Sequence, residues 1–427
     1  MQFNLLSPRE QLVRVMNRIY YGGMTTLSGG NLSILDEDGK IWITPGAVDK
    51  GQLLPRDIVC IHPDGTVEGL HKPSSELPFH RAIYKARPDI RAIVHAHPPA
   101  LVTFSIIRKI PDTNIIPQAR RVCGRVGYAK YALPGSEALG VSIATSFGES
   151  YDVVLLENHG MAAVGTTLQE AFQRLETLDF CARIQMYAKR LGDFSTLTDA
   201  QIEMFDHREN ILPEFTPHLH TSAERELREK IVEVVHRAYA RQLMISTEGV
   251  VSARLDDTSF LITPTGQDRQ TIDMEDVVLI SDGHRETGKL PSRSVMLHNT
   301  LYGRHPEINS IMTAQSPYAT AYTLTEEQMN TRTIPESFVM LRDIARVPYG
   351  TQFNDYDAIA DVVSPSQPVV LIQNDCVLTT GTSVLQAFDR LEVAEFTARS
   401  LVETRSLGDL IPITEPEVEN LIQKFFT

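Results

Sequence analysis

Cysteine is scarce in this sequence: Cys60, Cys123, Cys181 and Cys376 are scattered through 427 residues. No Cys-x-x-Cys pair offers a zinc or redox centre, and three of the four fall in one half, a poor layout for disulfides. The expectation is a reduced, cytoplasmic protein. Also missing is any apolar run approaching the roughly 18–20 residues that a membrane span requires. Met1 to Glu10 lacks the basic and then apolar pattern of a signal peptide. There is no basic excess either. A formal net charge of −14 gives no electrostatic reason to expect nucleic acid or an anionic membrane as partner. The acidic residues are spread along the chain, which reads as a solubility feature.

What the chain does have is an internal repeat. Gly165 to Arg183 (GTTLQEAFQRLETLDFCAR) matches Gly381 to Arg399 (GTSVLQAFDRLEVAEFTAR) at 10 of 19 positions, with apolar residues at helical spacing in both. Three further pairs follow in the same order. Gly30-Asn31-Leu32-Ser33 recurs as Gly249-Val250-Val251-Ser252, and Ile43-Thr44-Pro45 as Ile262-Thr263-Pro264. His80-x-x-x-Tyr84-x-x-x-Pro88 recurs as His298-x-x-x-Tyr302-x-x-x-Pro306. A chance helix pattern does not account for four ordered matches, so the chain is a tandem duplication.

Helix start signals agree. Ser7-Pro8-Arg9-Glu10 and Thr221-Ser222-Ala223-Glu224 both read as capping boxes that open amphipathic helices. Between the copies, Gly192 to His220 is polar and broken by Pro213 and Pro217. The predicted organisation is a first domain over 1–205, a linker over 206–221 and a second domain over 222–427. Within each copy a helix precedes several short strands, followed by alternating helices and strands. Asp36-Glu37-Asp38-Gly39 and Pro63-Asp64-Gly65 are hairpin signals. This mixed order predicts an α/β fold with a largely antiparallel sheet between helix layers rather than a doubly wound parallel sheet.

The chemistry is concentrated in the first copy. His95-Ala96-His97 ends a β-branched run, and residues two apart on a strand project to one face, so both rings can reach one ion. His159 follows a second such run, Val153 to Leu156. Three imidazoles with an open position make a catalytic zinc shell, although spacing alone favours separate surface histidines. Glu76, after Ser74 and Ser75, reads either as an acidic helix cap or as a carboxylate facing a metal beside an anion-binding loop. Gly29-Gly30-Asn31 is a tight turn or a close backbone approach to a phosphate. In the second copy these positions read Ser294, Thr313, Gln315 and Asp375, so all three histidines and the glutamate are gone.

Together these segments resemble the class II aldolase/adducin family over both halves of the chain. The resemblance implies two tandem α/β domains, the first active and the second lacking metal ligands. It implies a divalent ion, most readily Zn2+ with Mn2+ or Co2+ as alternatives, on His95, His97 and His159. Glu76 is then the acid/base, and Gly30, Asn31, Ser74 and Ser75 hold a substrate phosphate. The implied reaction is lyase chemistry on a small sugar or sugar phosphate through a metal-stabilised enediolate. Epimerisation, dehydration, decarboxylation and a non-catalytic adducin-like scaffold are the alternatives. Glutamate after Ser-Ser favours the aldolase branch over the pentulose-phosphate 4-epimerase branch, which carries aspartate. One departure is Thr44-Pro45-Gly46-Ala47, where the family often has Thr-Pro-Ser/Thr-Gly; the lost hydroxyl implies weaker phosphate binding or an unphosphorylated substrate. The family's cyclic tetramers imply a homo-oligomer, a dimer of tandem chains mimicking the tetramer.

Overall fold

The structure is a computed structural model that describes residues 3–206 and 212–426; residues 207–211, within the expected linker, lie outside the described residues. The chain forms two compact units, residues 1–113 with 118–183, and residues 114–117 with 184–427.

The first unit opens with α1 (Pro8–Tyr21), where Ser7 and Glu10 cap each other's backbone amides in a capping box. Four short strands follow: β1 (Asn31–Leu35), β2 (Ile41–Ile43), β3 (Val59–Ile61) and β4 (Val67–Glu68). Then come α2 (Leu77–Ala86), β5 (Ala92–Ala96), α3 (Pro99–Ile106), α4 (Pro117–Cys123), β6 (Val126–Ala129) and α5 (Glu137–Gly148). Strands β7 (Val153–Leu156) and β8 (Gly160–Gly165) form the last hairpin, and the long helix α6 (Leu168–Leu191) closes the copy. The eight strands make one sheet in the order β4-β3-β2-β1-β5-β8-β7-β6. Every neighbouring pair is antiparallel except β6–β7, as the hairpin signals require. Alternation divides the strands between two faces. Ile41, Ile43, Val59, Ile61, Ile93, Val154 and Leu156 pack with Phe79 and Ile83 of α2 and Leu139, Ile143 and Phe147 of α5 in one buried core. The intervening residues Leu32, Cys60, Val94 and Leu155 are equally buried on the opposite face.

The second unit repeats this plan. Helix α7 (Asp199–Asp206) and strand β9 (Glu214–Phe215) precede α8 (Ser222–Ala240). Here the expected capping box is one-sided. Thr221 Oγ1 accepts from the Glu224 amide at 3.1 Å, but the Glu224 carboxylate turns to Arg228 and His220, at 2.8 and 2.9 Å. Next come β10 (Val250–Arg254), β11 (Ser259–Ile262), β12 (Val278–Ser281), β13 (His284–Glu286), α9 (Val295–Arg304) and β14 (Ser310–Ala314). The copy continues through α10 (Pro317–Leu324), α11 (Pro335–Leu341), β15 (Ile344–Val347), α12 (Thr351–Asn354) and α13 (Tyr356–Val362). It ends with β16 (Val369–Ile372), β17 (Cys376–Gly381), α14 (Val384–Thr404) and α15 (Glu415–Phe425). The sheet order is β15-β16-β17-β14-β10-β11-β12-β13-β9. Its ninth strand, β9, comes from the connecting segment and lies parallel to β13 at the edge. Among the described residues, no helix is long and apolar enough to cross a membrane.

A candidate metal centre in the first copy

Strands β1, β5 and β8 are adjacent at the centre of the first sheet, and their register brings the chemistry together. Asn31 on β1 is the cross-strand partner of His95 on β5, and His95 in turn faces Ala162 on β8. His97 lies just past the end of β5, with its amide held by the Met24 carbonyl at 3.1 Å. His159 sits in the turn from β7 to β8, beside Asn158 in the left-handed region at φ 54°. The strand ends approach closely. A Cβ on Gly160 would stand 2.6 Å from both the Ala96 carbonyl oxygen and a His97 ring carbon, so only glycine fits there. Gly30, at φ 70°, is needed for the same reason: its Cβ would meet the His95 carbonyl oxygen at 2.8 Å.

The three rings converge, with centroids 4.8, 4.9 and 5.0 Å apart, and one ligand nitrogen from each lies within 4.8 Å of the others. His95 is wholly buried, and its Nδ1–H donates to the Met161 carbonyl at 2.8 Å. That bond fixes the tautomer and leaves the Nε2 lone pair facing the cluster. Nε2 of His97 lies 3.0 Å from Nε2 of His95. With the His95 Nε2 lone pair as acceptor, His97 Nε2–H is the donor of that contact. Loss of that proton leaves two nitrogens close to the about 3.3–3.4 Å spacing of two donors about 2.0–2.1 Å from one tetrahedral ion. Burial, then the neighbouring imidazoles, push His97 down to about 3, and the same causes push His159 down to about 4. Both rings are thus neutral near pH 7, the form that ligates a cation. The donor set fits a divalent ion.

Glu76 occupies the N-cap position of α2, but its side chain makes no capping bond. It turns inward instead, with Oε2 3.2 Å from His95 Nε2 and Oε1 3.6 Å from His159 Nε2. Burial raises its pKa, yet the His95 imidazole, the Asn31 amide and His159 outweigh that and hold it well below the usual carboxylate range.

Behind Glu76 runs a buried chain whose proton directions can be deduced. A carboxylate only accepts, so Asn31 Nδ2 donates to Glu76 at 2.6 Å, and Asn31 Oδ1 must accept from His80 Nε2 at 2.5 Å. His80 Nδ1 then accepts from Ser33 Oγ at 2.7 Å, and Ser33 accepts from Tyr84 OH at 2.8 Å. This requires a neutral His80, and burial holds its pKa at about 3. Phe79 stacks on His80 at 4.4 Å and meets His95 edge-on at 5.5 Å. The Ser33–His80–Tyr84 set is a functional support that the sequence displayed only as repeat identity. Asn31, expected at a phosphate, has its amide directed at Glu76 and His80 in this structure.

The remaining expected residues lie on the adjoining loop. Ser74 is nearly buried and its Oγ accepts from the Glu76 amide at 3.2 Å, while Ser75 is exposed. This loop bridges to the Thr44-Pro45 loop through Pro45 and Pro73. Beneath Pro45 lies Lys50, unremarked in the sequence, whose Nζ donates to the Pro45 carbonyl at 2.5 Å; burial lowers it to about 8. Another potential ligand group, Cys60, His62 and Glu68, lies on the β3–β4 hairpin. There Glu68 is already paired with His62 at 3.1 Å and Arg9 at 3.5 Å.

The second copy keeps the support and loses the centre. Ser252 Oγ bonds His298 Nδ1 at 2.7 Å and Tyr302 OH at 2.6 Å, as in the first copy. Val250 stands where Asn31 does, so the buried His298 Nε2 has no hydrogen-bond partner among the described residues. Burial holds His298 near pKa 3, against about 6.5 when unfolded. Between those values the unfolded chain binds the extra proton, so stability rises with pH: the contribution is complete above about 6.5 and is lost as pH falls towards 3. His298→Phe is expected to flatten the pH dependence of urea unfolding between pH 7 and 5 by up to about 1.4 kcal/mol per pH unit. An unchanged slope would show that His298 is protonated in the fold.

Comparison with known proteins agrees with this geometry. The Class II Aldolase and Adducin N-terminal domain family matches residues 10–186 and again 229–402. The chain is similar to the 5-deoxy-D-ribulose 1-phosphate aldolase of Bacillus thuringiensis serovar kurstaki, 32% identical over 47% of this chain and 93% of that protein. It is similar to the 3-oxo-tetronate 4-phosphate decarboxylase of Escherichia coli K12, 31% identical over 42% of this chain and 85% of that protein. It is also similar to the L-fuculose phosphate aldolase of Methanocaldococcus jannaschii, 32% identical over 42% of this chain and 95% of that protein. With two matched segments and two sheets of one plan, the chain belongs to the class II aldolase and adducin family and carries its domain twice.

Proposed function

We propose that the first copy is the working site of a metal-dependent enzyme that breaks or forms a carbon–carbon bond in a small sugar phosphate. The observation carrying this reading is the convergence of three imidazoles on a buried carboxylate. His95, His97 and His159 would hold the ion, with Zn2+, Mn2+ and Co2+ all compatible with three nitrogen donors. When bound, such an ion polarises a carbonyl oxygen and stabilises the negative charge that develops as the bond breaks. Glu76, aimed by Asn31, takes the proton from the hydroxyl that becomes a carbonyl, or moves a proton at the adjoining carbon. Ser74, Ser75 and Gly30 line the loops where a phosphate would sit, and Lys50 beneath Pro45 adds a positive charge under them.

Decarboxylation is the second reading, favoured by the similarity to the Escherichia coli 3-oxo-tetronate 4-phosphate decarboxylase. It leaves the same charge on the same carbons, so these residues serve either outcome. A panel of ketose 1-phosphates and 3-oxo acid 4-phosphates, assayed with one equivalent of Zn2+, separates them: aldol cleavage yields an aldehyde and a triose phosphate, decarboxylation yields carbon dioxide. Metal-dependent turnover of neither class would defeat the proposal.

A further inference from the structure

In the first copy the loop carrying Ser75 and the loop after β6 stand open: Ser75, Lys130, Tyr131, Leu133 and Pro134 are all exposed. Their second-copy counterparts are less open: Arg293, Tyr349 and Thr351 are half-buried, while Pro348 stays exposed. Gln352 and Phe353 of α12 are 4% and 8% exposed, and Asp375, in the place of His159, is 4% exposed. Gln352 Nε2 donates to Asp375 Oδ2 at 2.9 Å, drawing the loop onto the vestigial ligand position.

The cover comes from the segment that connects the copies. Ile202 and Phe205 of α7 are buried, Phe205 to 1% exposure. The guanidinium of Arg293, which replaces Ser75, lies 4.0 Å over the Phe205 ring, and its Nη1 donates to the Phe205 carbonyl at 3.2 Å. Phe353 meets Phe205 edge-on at 6.1 Å, and Tyr349 OH donates to the Gln201 carbonyl at 2.8 Å. Upstream, Ser195 is tied to Asn374, whose Nδ2 donates to the Ser195 carbonyl at 3.0 Å. Downstream, β9 joins the sheet edge, with Glu214 paired to Arg285 at 2.7 Å.

We infer that the former substrate cleft of the second copy is a docking site for this chain's own segment, residues 195–206, with Phe205 as its anchor and Arg293 as its clamp. The replacement of Ser75 by arginine is then a gain rather than decay. A hydroxyl suited to a small anion gives way to a planar cation that covers an aromatic ring and binds a backbone carbonyl. The connecting segment thereby acquires a fixed seat on the second copy.

Hydrogen exchange on the full chain, read by mass spectrometry over residues 199–206, tests this. Arg293→Ser restores the first copy's residue and removes both clamp contacts; Phe205→Ala removes the anchor. Exchange in 199–206 is expected to rise by about tenfold or more in each variant. In Arg293→Ser the core strands β10, β14 and β17 keep their protection. The inference is overturned if neither variant changes exchange in 199–206. It is equally overturned if Arg293→Ser loosens the core strands in step with α7, since the segment would then be part of the core.

Discussion

Replacing His95 with threonine is expected to abolish stoichiometric metal binding in the first copy and to slow turnover by about a thousandfold or more, while leaving the fold intact. Threonine is chosen because the second copy already carries it: Thr313 occupies the equivalent place on β14, pairs with Val250 as His95 pairs with Asn31, and is buried at 7% exposure. The loss is large because His95 is the best-fixed of the three donors, wholly buried and locked by the Met161 carbonyl. Removing a donor forfeits several kcal/mol of charge stabilisation, and each 1.36 kcal/mol is tenfold in rate. Elemental analysis after dialysis should fall from one divalent ion per chain to well below one. Full metal content and full turnover in His95→Thr would eliminate the three-histidine centre.

The three histidines could be read together as candidate metal donors because strand geometry makes their spacing meaningful. His95 and His97 share a face at a strand end, and His159 follows the neighbouring hairpin strand. Glu76 was ambiguous for a physical reason: a glutamate at a helix start caps the helix in most settings, and only the absence of a side-chain cap and the turn towards Asn31 separate the two roles. His80 and Tyr84 were visible as a repeat but not as a support, because a buried hydrogen-bonded set needs the strand residue Ser33, 47 positions away, to be recognised. Their retention as His298, Tyr302 and Ser252 is the signal that could have found them: the set survives where the chemistry does not, so it serves the fold as well as the site. The seat of α7 was hidden by composition. Phe205 is one of three phenylalanines, with Phe194 and Phe215, in the polar stretch from Gly192 to His220 that joins the copies, and its burial involves Arg293, Tyr349 and Phe353, all remote in sequence.

Glu76→Gln is expected to separate proton transfer from metal binding. The amide keeps the shape of the carboxylate, and its oxygen can still accept from Asn31 Nδ2, so the chain through His80, Ser33 and Tyr84 remains satisfied. The three imidazoles are untouched, so the ion should be retained at one per chain. What disappears is the carboxylate that reaches two of the three rings, at 3.2 and 3.6 Å. An amide neither takes nor returns a proton at neutral pH, and positioned acid–base groups contribute about 10²–10⁴-fold. The expectation is a fall in kcat of that size with KM nearly unchanged. Glu76→Ser, the residue of the second copy, should lose as much rate. It should also lose stability, because Asn31 Nδ2 would be left without its acceptor in a buried site, at about 1–3 kcal/mol. If Glu76→Gln lost its ion along with its activity, the carboxylate would be a fourth ligand rather than the group that moves the proton. If it kept both, the proton would have to travel by another residue, and the deduced Glu76–Asn31–His80 chain would be structural alone.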